Sequence, residues 1–390
     1  MAITRPDPRR FHAMTTIETA PITLRSSSDL IASVPYLLGF HPSKSVVVVA
    51  MADGRVLFAA RSDLAGAVPA ADITRRLISV LLRDDADTVA IVGYGTGPQV
   101  LPLIDSLRNA LAFTGIHVLD VLRVEGGRYW SLMCVNPACC PPEGKLYEPA
   151  TSTIGAAAVY AGHLALPDRE AVARSIAPVQ GEARAAMAAA TIRADARMAR
   201  LVERARAEPD TVTPLSVAGA AGSAVRANAR VTRAIRAAGE EAVDCATDRY
   251  RAGRTLADDE VAWLSVLLVH LPVRDRAWEQ TTDDDWQLDL WADVTRRVQP
   301  PLVAAPASLL AFAAWRVGNG ALANLAVERA LAAEPDYALA RLLDEILVQC
   351  LPPSIMVEAR VPPHQRNGSA GHRAARGRPT GDLGDLERAS

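Results

Sequence analysis

Three of the chain's five cysteines, Cys134, Cys139 and Cys140, fall in one short stretch punctuated by Pro137, Pro141 and Pro142, and this is its densest chemistry. Thiolates are both nucleophiles and soft metal ligands, so three outcomes compete. In the ordinary one the thiols pack as small apolar side chains at a proline-fixed turn. In the second, Cys134 closes a redox-sensitive disulfide with Cys139 or Cys140, which a reducing cytoplasm disfavours as a permanent bond. In the third, the thiolates bind zinc together with a histidine such as His41 or His117. The usual zinc spacing is only partly met and no second Cys-x-x-Cys pair exists, so zinc is admitted but not preferred.

A second candidate is the run Gly93, Tyr94, Gly95, Thr96, Gly97, which follows a strand-like segment and opens a helix. Free backbone amides and the helix dipole can hold a phosphate at such a place. Gly97 arrives one residue early for Gly-x-Gly-x-x-Gly, and Asp120 on the following strand sits too far along it to serve a ribose. A plain glycine turn is the competing reading. A ligand pocket at these strand ends requires Tyr94, Gly95 and Gly97 to line one cleft, with His41 or Cys134 beside them. His41 has the chemistry of a general base, but no serine or cysteine stands out as its nucleophile, which favours a hydrogen-bonded structural histidine. No Gly-x-Ser-x-Gly elbow or His-Glu-x-x-His helix occurs.

The elements that must position these residues follow from periodicity. Residues 45–50 and 55–60 are β-rich and joined at Asp53-Gly54, a dipeptide suited to a tight hairpin. Asp72 reads as the cap of a helix with Ile73, Leu77, Val80 and Leu81 on one face, leading to a buried-type strand at 88–93. Val100, Ile104, Leu107 and Leu111 mark the next helix. Residues 116–124 and 128–135 then form strands joined by Gly126-Gly127, and 29–34 a short helix running into an apolar turn. The order β-β-α-β-α-β-β predicts an α/β N-terminal domain with a mixed, partly parallel sheet in which at least three strands run parallel.

Beyond the Pro-rich stretch at 137–149 the strand signals stop. Pro178, the 209–214 segment, Gly253, Pro272 and Pro300 to Pro306 punctuate an all-α domain. Its last helical pair, with Leu310, Trp315, Gly318, Ala323, Ala330 and Pro335, has the register of one tetratricopeptide-like hairpin. The expected organisation is a disordered segment 1–20, an α/β domain 21–150, a helical domain 151–355 and a disordered tail 356–390.

Composition narrows the function classes. A formal net charge of −2, from 42 basic and 44 acidic residues, gives no general pull toward nucleic acid or anionic membrane. Of the basic residues only Lys44 and Lys145 are lysine, which with the abundant alanine reads as the codon bias of a GC-rich genome. No secretory leader is visible at the N-terminus and no apolar run is long enough to span a membrane, so a cytoplasmic location is expected.

The stretch from Asp29 through Pro35, Tyr36, Gly39, Phe40, His41 and Pro42 resembles an actinobacterial family of domains of unknown function, number 4192. So do Tyr129-Trp130, Cys134 with Cys139, Cys140 and Gly144, the run from Ala161 to Arg169, and Val273 to Trp278. The resemblance covers residues 22–355 and implies a high-GC actinobacterial source, with both halves working as one unit. It brings no activity, cofactor or catalytic residue with it. The expected function is therefore a non-enzymatic interaction or regulatory protein, its helical half offering a surface to a protein partner. A ligand-binding enzyme with a pocket near Gly93 to Gly97, and a zinc or thiol-redox site at the cysteines, are the alternatives.

Overall fold

Ser45–Ala52 (β1) and Arg55–Asp63 (β2) pair antiparallel, with Ala52 opposite Arg55. Asp53 and Gly54 both take positive φ, 50° and 72°, as a two-residue hairpin turn matching strand twist requires. The structure is a computed structural model describing residues 25–64, 68–148, 152–161, 164–208, 220–353 and 355. The segments 1–20 and 356–390, the prolines at 209 and 214, and His163 lie outside the described residues.

Helix α1 (Ser27–Leu38) precedes the hairpin; α2 (Ala70–Arg83), β3 (Thr88–Tyr94), α3 (Gly97–Leu111), β4 (His117–Glu125), β5 (Arg128–Ser131) and β6 (Lys145–Leu146) follow it. The sheet order is β2-β1-β3-β4-β5-β6. β3 and β4 are its parallel neighbours, and β1 runs antiparallel to both β2 and β3. Three strands, β2, β3 and β4, thus point the same way as expected, but β1 is inserted between the first two of them.

Val46 to Val49 is apolar without alternation because both faces of β1 are covered. Val46, Val48, Val89, Ile91 and Val121 meet Leu77 and Leu81 of α2 and Val100, Ile104 and Leu107 of α3. Val47, Val49, Val92 and Leu122 meet Leu30, Ile31 and Val34 of α1 on the opposite face.

Three local expectations are corrected. Asp72 does not cap α2: Pro69 holds the N-cap position and Asp72 lies in the first turn, paired with Arg75 at 2.9 Å. The helix at 29–34 does not stop at Pro35 but runs through it to Leu38, ending at Gly39 with φ 79°; burial of Leu30, Ile31, Val34 and Pro35 against the sheet outweighs the one lost backbone bond. β5 ends at Ser131, where the chain peels away: Asn136 Oδ1 accepts from Ala138 N at 3.0 Å, and its carbonyl accepts from Cys139 N and Cys140 N, closing a turn.

From Thr153 onward the described chain is helical apart from the single bridge residue Leu166: α4 (Thr153–Tyr160), α5 (Arg169–Ser175), α6 (Gly181–Ala207), α7 (Ala220–Arg251), α8 (Asp258–Leu267), α9 (Leu271–Glu279), α10 (Asp285–Arg297), α11 (Ala304–Arg316), α12 (Gly320–Ala333) and α13 (Ala338–Val348). α11 is buried from Ala304 to Trp315, so it is an interior helix packed by α9, α10, α12 and α13 and not one wall of an open groove. Contacts tie the sheet to the helices: α1 packs on α4, and Phe40 bridges Leu166, with His41 N donating to Leu166 O at 2.9 Å.

Gly239, in the middle of α7, is set by α9. A Cβ there would stand 2.2 Å from Val273 Cγ2 and 2.7 Å from Cγ1. Gly239→Ala gains about 1 kcal/mol of helix propensity but overpacks a buried contact, at a cost of roughly 1 to 3 kcal/mol. Urea unfolding should show a net loss of up to about 2 kcal/mol, partly recovered in Gly239→Ala/Val273→Ala.

Candidate functional site: the thiol cluster at the sheet edge

The turn at Asn136 returns the chain along the sheet edge so that the Sγ atoms of Cys134, Cys139 and Cys140 all lie within 4.8 Å of one another. Cys139 is exposed and the other two are half-buried; all five cysteines of the chain are unpaired thiols. Cys139 and Cys140 stand 3.9 Å apart at sulfur, and Lys145 Nζ is 4.0 Å from Cys139 Sγ.

Trp130 on β5 is the post around which the loop is built. Its Nε1 donates to Pro142 O at 2.9 Å, and the Arg123 guanidinium lies 3.7 Å over its ring while also pairing with Glu125. Arg128 Nη1 donates to Gly144 O at 2.8 Å, and Gly144 N to Pro141 O at 2.9 Å. Lys145 and Leu146 then add β6 to the edge, opposite Tyr129 and Arg128. A cavity of about 220 Å³ opens here, with Arg123, Trp130, Cys134, Cys140 and Lys145 among its walls.

The thiols do not ionise alike. The backbone amide of Asn136, then the Cys140 thiol and the Lys145 charge, hold Cys134 below the usual thiol value. Cys140 is pushed up to about 11, chiefly by its hydrogen bond to Cys134. Cys134 therefore ionises more readily than Cys140, with Lys145 as the nearby ammonium.

The site fits a soft divalent metal. A tetrahedral Zn–S length of roughly 2.3 Å sets sulfurs about 3.8 Å apart, near the separation of Cys139 and Cys140. Among the described residues no histidine or carboxylate joins the three sulfurs, so neither His41 nor His117 is a fourth ligand. His41 is exposed at the end of α1 and tied through its backbone to Leu166; His117 is exposed at the start of β4.

The glycine-turn residues lie elsewhere. The Tyr94 ring is buried in the α1-facing core, where burial pushes its hydroxyl far up. Gly95 faces α3, a Cβ there meeting Gln99 Oε1 at 3.0 Å, and that oxygen accepts from Thr96 N, so the helix start is closed by its own side chain. Gly97 begins α3. None of Tyr94, Gly95, Gly97 or His41 lines the cavity at the cysteines. Asp120, set aside as a ribose partner, binds Ser27 Oγ at 2.6 Å and Ser131 Oγ at 2.9 Å, joining α1 to the end of β5 where the cysteine loop departs.

A mixed sheet with one parallel pair, followed by a long helical region and carrying its thiols on an edge loop, is the architecture that the chain presents. A model of the family described as domain of unknown function (DUF4192) matches residues 28–354, and the chain belongs to that family. No curated protein and no solved structure matches it.

Proposed function

We propose that this protein is a non-enzymatic regulatory module that binds a soft divalent metal, zinc foremost, through Cys134, Cys139 and Cys140. The observation that carries the reading is the convergence of three thiols within 4.8 Å on a loop braced by Trp130 and Lys145. Bound there, zinc would cross-link the loop, a role that structural thiolate sites serve through folding energy. Cys134 gives up its proton more readily than Cys140, and Lys145 offsets the thiolate charge. A fourth ligand would have to come from outside the cluster, because among the described residues no histidine or carboxylate joins the three sulfurs. A reducing cytoplasm suits the site because it keeps the thiols available. The helical half, and above all the exposed faces of α6 and α7, supplies the surface for a protein partner.

The test is metal content and thiol count on the full chain purified under reducing, chelator-free conditions. One zinc per chain is expected, chelation exposing three further reactive thiols, and Cys139→Ser/Cys140→Ser should carry none. Five reactive thiols and no metal would overturn the reading, and a Cys134 disulfide formed on mild oxidation would then favour the redox alternative.

A further inference from the structure

We propose that Arg184, Arg296 and Arg329, where the start of α6, the end of α10 and the middle of α12 meet, form a binding site for a small oxyanion, a phosphate or the phosphoryl group of a ligand. The site is independent of the cysteine loop.

Several arginines nearby in the helical region pair with carboxylates: Arg297 with Asp293 and Asp258, Arg193 with Asp259, and Arg169 with Glu328, the residue beside Arg329. These three do not. Among the described residues no carboxylate pairs with Arg184, Arg296 or Arg329. The guanidinium of Arg329 is fixed by Nη2, which donates to Thr295 O at 2.8 Å, while its Nη1 is buried without an acceptor among the described residues. Burial, then the charges of Arg184 and Arg296, push its pKa down, as like charges held together must.

The buried side of α10 repeats the pattern. Trp291 Nε1 in the middle of α10, Thr295 Oγ1 in its last turn and Gln299 Nε2 just beyond it are spaced four residues apart, and each is buried with no hydrogen-bond partner among the described residues. Trp291 and Thr295 are 2% and 0% exposed, so water at the surface does not satisfy them. All four orphaned groups can donate, and buried donors left unpaired cost free energy that a bound acceptor returns. The segment before α6 is held here by Val179 N donating to Arg296 O at 2.9 Å, which brings Arg184 in the first turn of α6 to the same corner. Gln180, at the α6 N-cap, bonds to Pro178 O and makes no side-chain cap, and the acid of that turn, Glu182, is exposed. Guanidinium forks match the paired oxygens of phosphate, which can accept from several of these groups at once.

The test is thermal melting and calorimetric titration of the full chain with inorganic phosphate at fixed ionic strength, for the wild type and for Arg184→Ala/Arg296→Ala, whose changes lie on half-buried and exposed side chains. The wild type should show a saturable stabilisation by phosphate, weakened at least tenfold in Kd in the variant. In phosphate-free, low-salt buffer the variant should melt higher than the wild type, because it has lost like-charge repulsion, a sign that a purely structural role would not produce. Tighter binding of a phosphomonoester than of phosphate assigns the group to an organic ligand; equal binding assigns it to free phosphate. Equal responses of wild type and variant, or a variant that melts lower without phosphate, would overturn the proposal.

Discussion

Gly144→Ala should disperse the thiol cluster while leaving the two sheet cores standing. A Cβ at 144 would lie 2.5 Å from Trp130 Cε2 and 2.8 Å from Cζ2, and the residue sits at φ +78°. Two penalties therefore act together: left-handed backbone, at roughly 1 to 2 kcal/mol for a residue with a Cβ, and a ring that has little room to retreat. Trp130 is held by Arg123 above it and by its own bond to Pro142 O. The loop must yield, carrying Cys139 and Cys140 away from Cys134. Zinc affinity, read by competition with a chromophoric chelator, should fall by about ten- to a hundredfold, the range seen when support around a metal site is lost. Gly126→Ala is the control, since Gly126 also has positive φ but open space around it. A readout independent of metal is the rate at which Cys134 pairs with Cys139 or Cys140 under mild oxidant, which should drop in the Gly144 variant alone. Unchanged affinity and pairing would show that Trp130 does not brace the site.

Arg297→Ala should destabilise the helical region strongly, although the residue belongs to no apolar core. Its guanidinium donates to Asp293 at 2.7 Å, to Asp258 at 2.5 Å and to Leu256 O at 2.9 Å, and its side chain is 14% exposed. Asp293 also accepts from the buried Tyr250 hydroxyl at 2.5 Å, so removal of the arginine leaves a carboxylate without its countercharge beside a phenol that burial already holds far above its usual pKa. Breaking a buried pair on one side costs about 3 to 5 kcal/mol, and the partial exposure of Asp258 places this case near 3. Urea unfolding should register that loss, and Arg297→Ala/Asp293→Asn should recover a part of it because the stranded charge is gone. A loss under 1 kcal/mol would mean that water satisfies Asp293 without the arginine.

The hairpin was legible in the sequence because its information is local: Asp53-Gly54 supplies both positive φ values and the flanking residues supply the strands. The insertion of β1 between β2 and β3 was not, since strand order depends on pairings far apart in sequence. The length of α1 is not legible in the sequence because Pro35 is a local stop signal that burial overrides. At the cysteines, residue type and spacing left convergence as one of three competing outcomes, and the partner histidines do not join: the backbone bridge to Leu166 fixes His41 beyond the end of α1, outside the cluster. The arginine cluster left no trace in the sequence at all. Arg184, Arg296 and Arg329 sit in three separate helical patterns and look like members of an arginine-rich background until the fold brings them together.

The guanidinium of Arg83 in α2 donates to Gln349 O at 3.1 Å and Cys350 O at 2.6 Å, so the last carbonyls after α13 are received by the second helix of the chain. That clasp spans 266 and 267 residues. Both bonds are exposed and join segments from opposite halves of the described chain, so the clasp closes only once both segments are folded and is among the contacts most open to local release. A chain shortened to end before residue 349 would complete its sheet and most of its helices yet remain unfastened, and limited proteolysis should find it by a faster cut near α2.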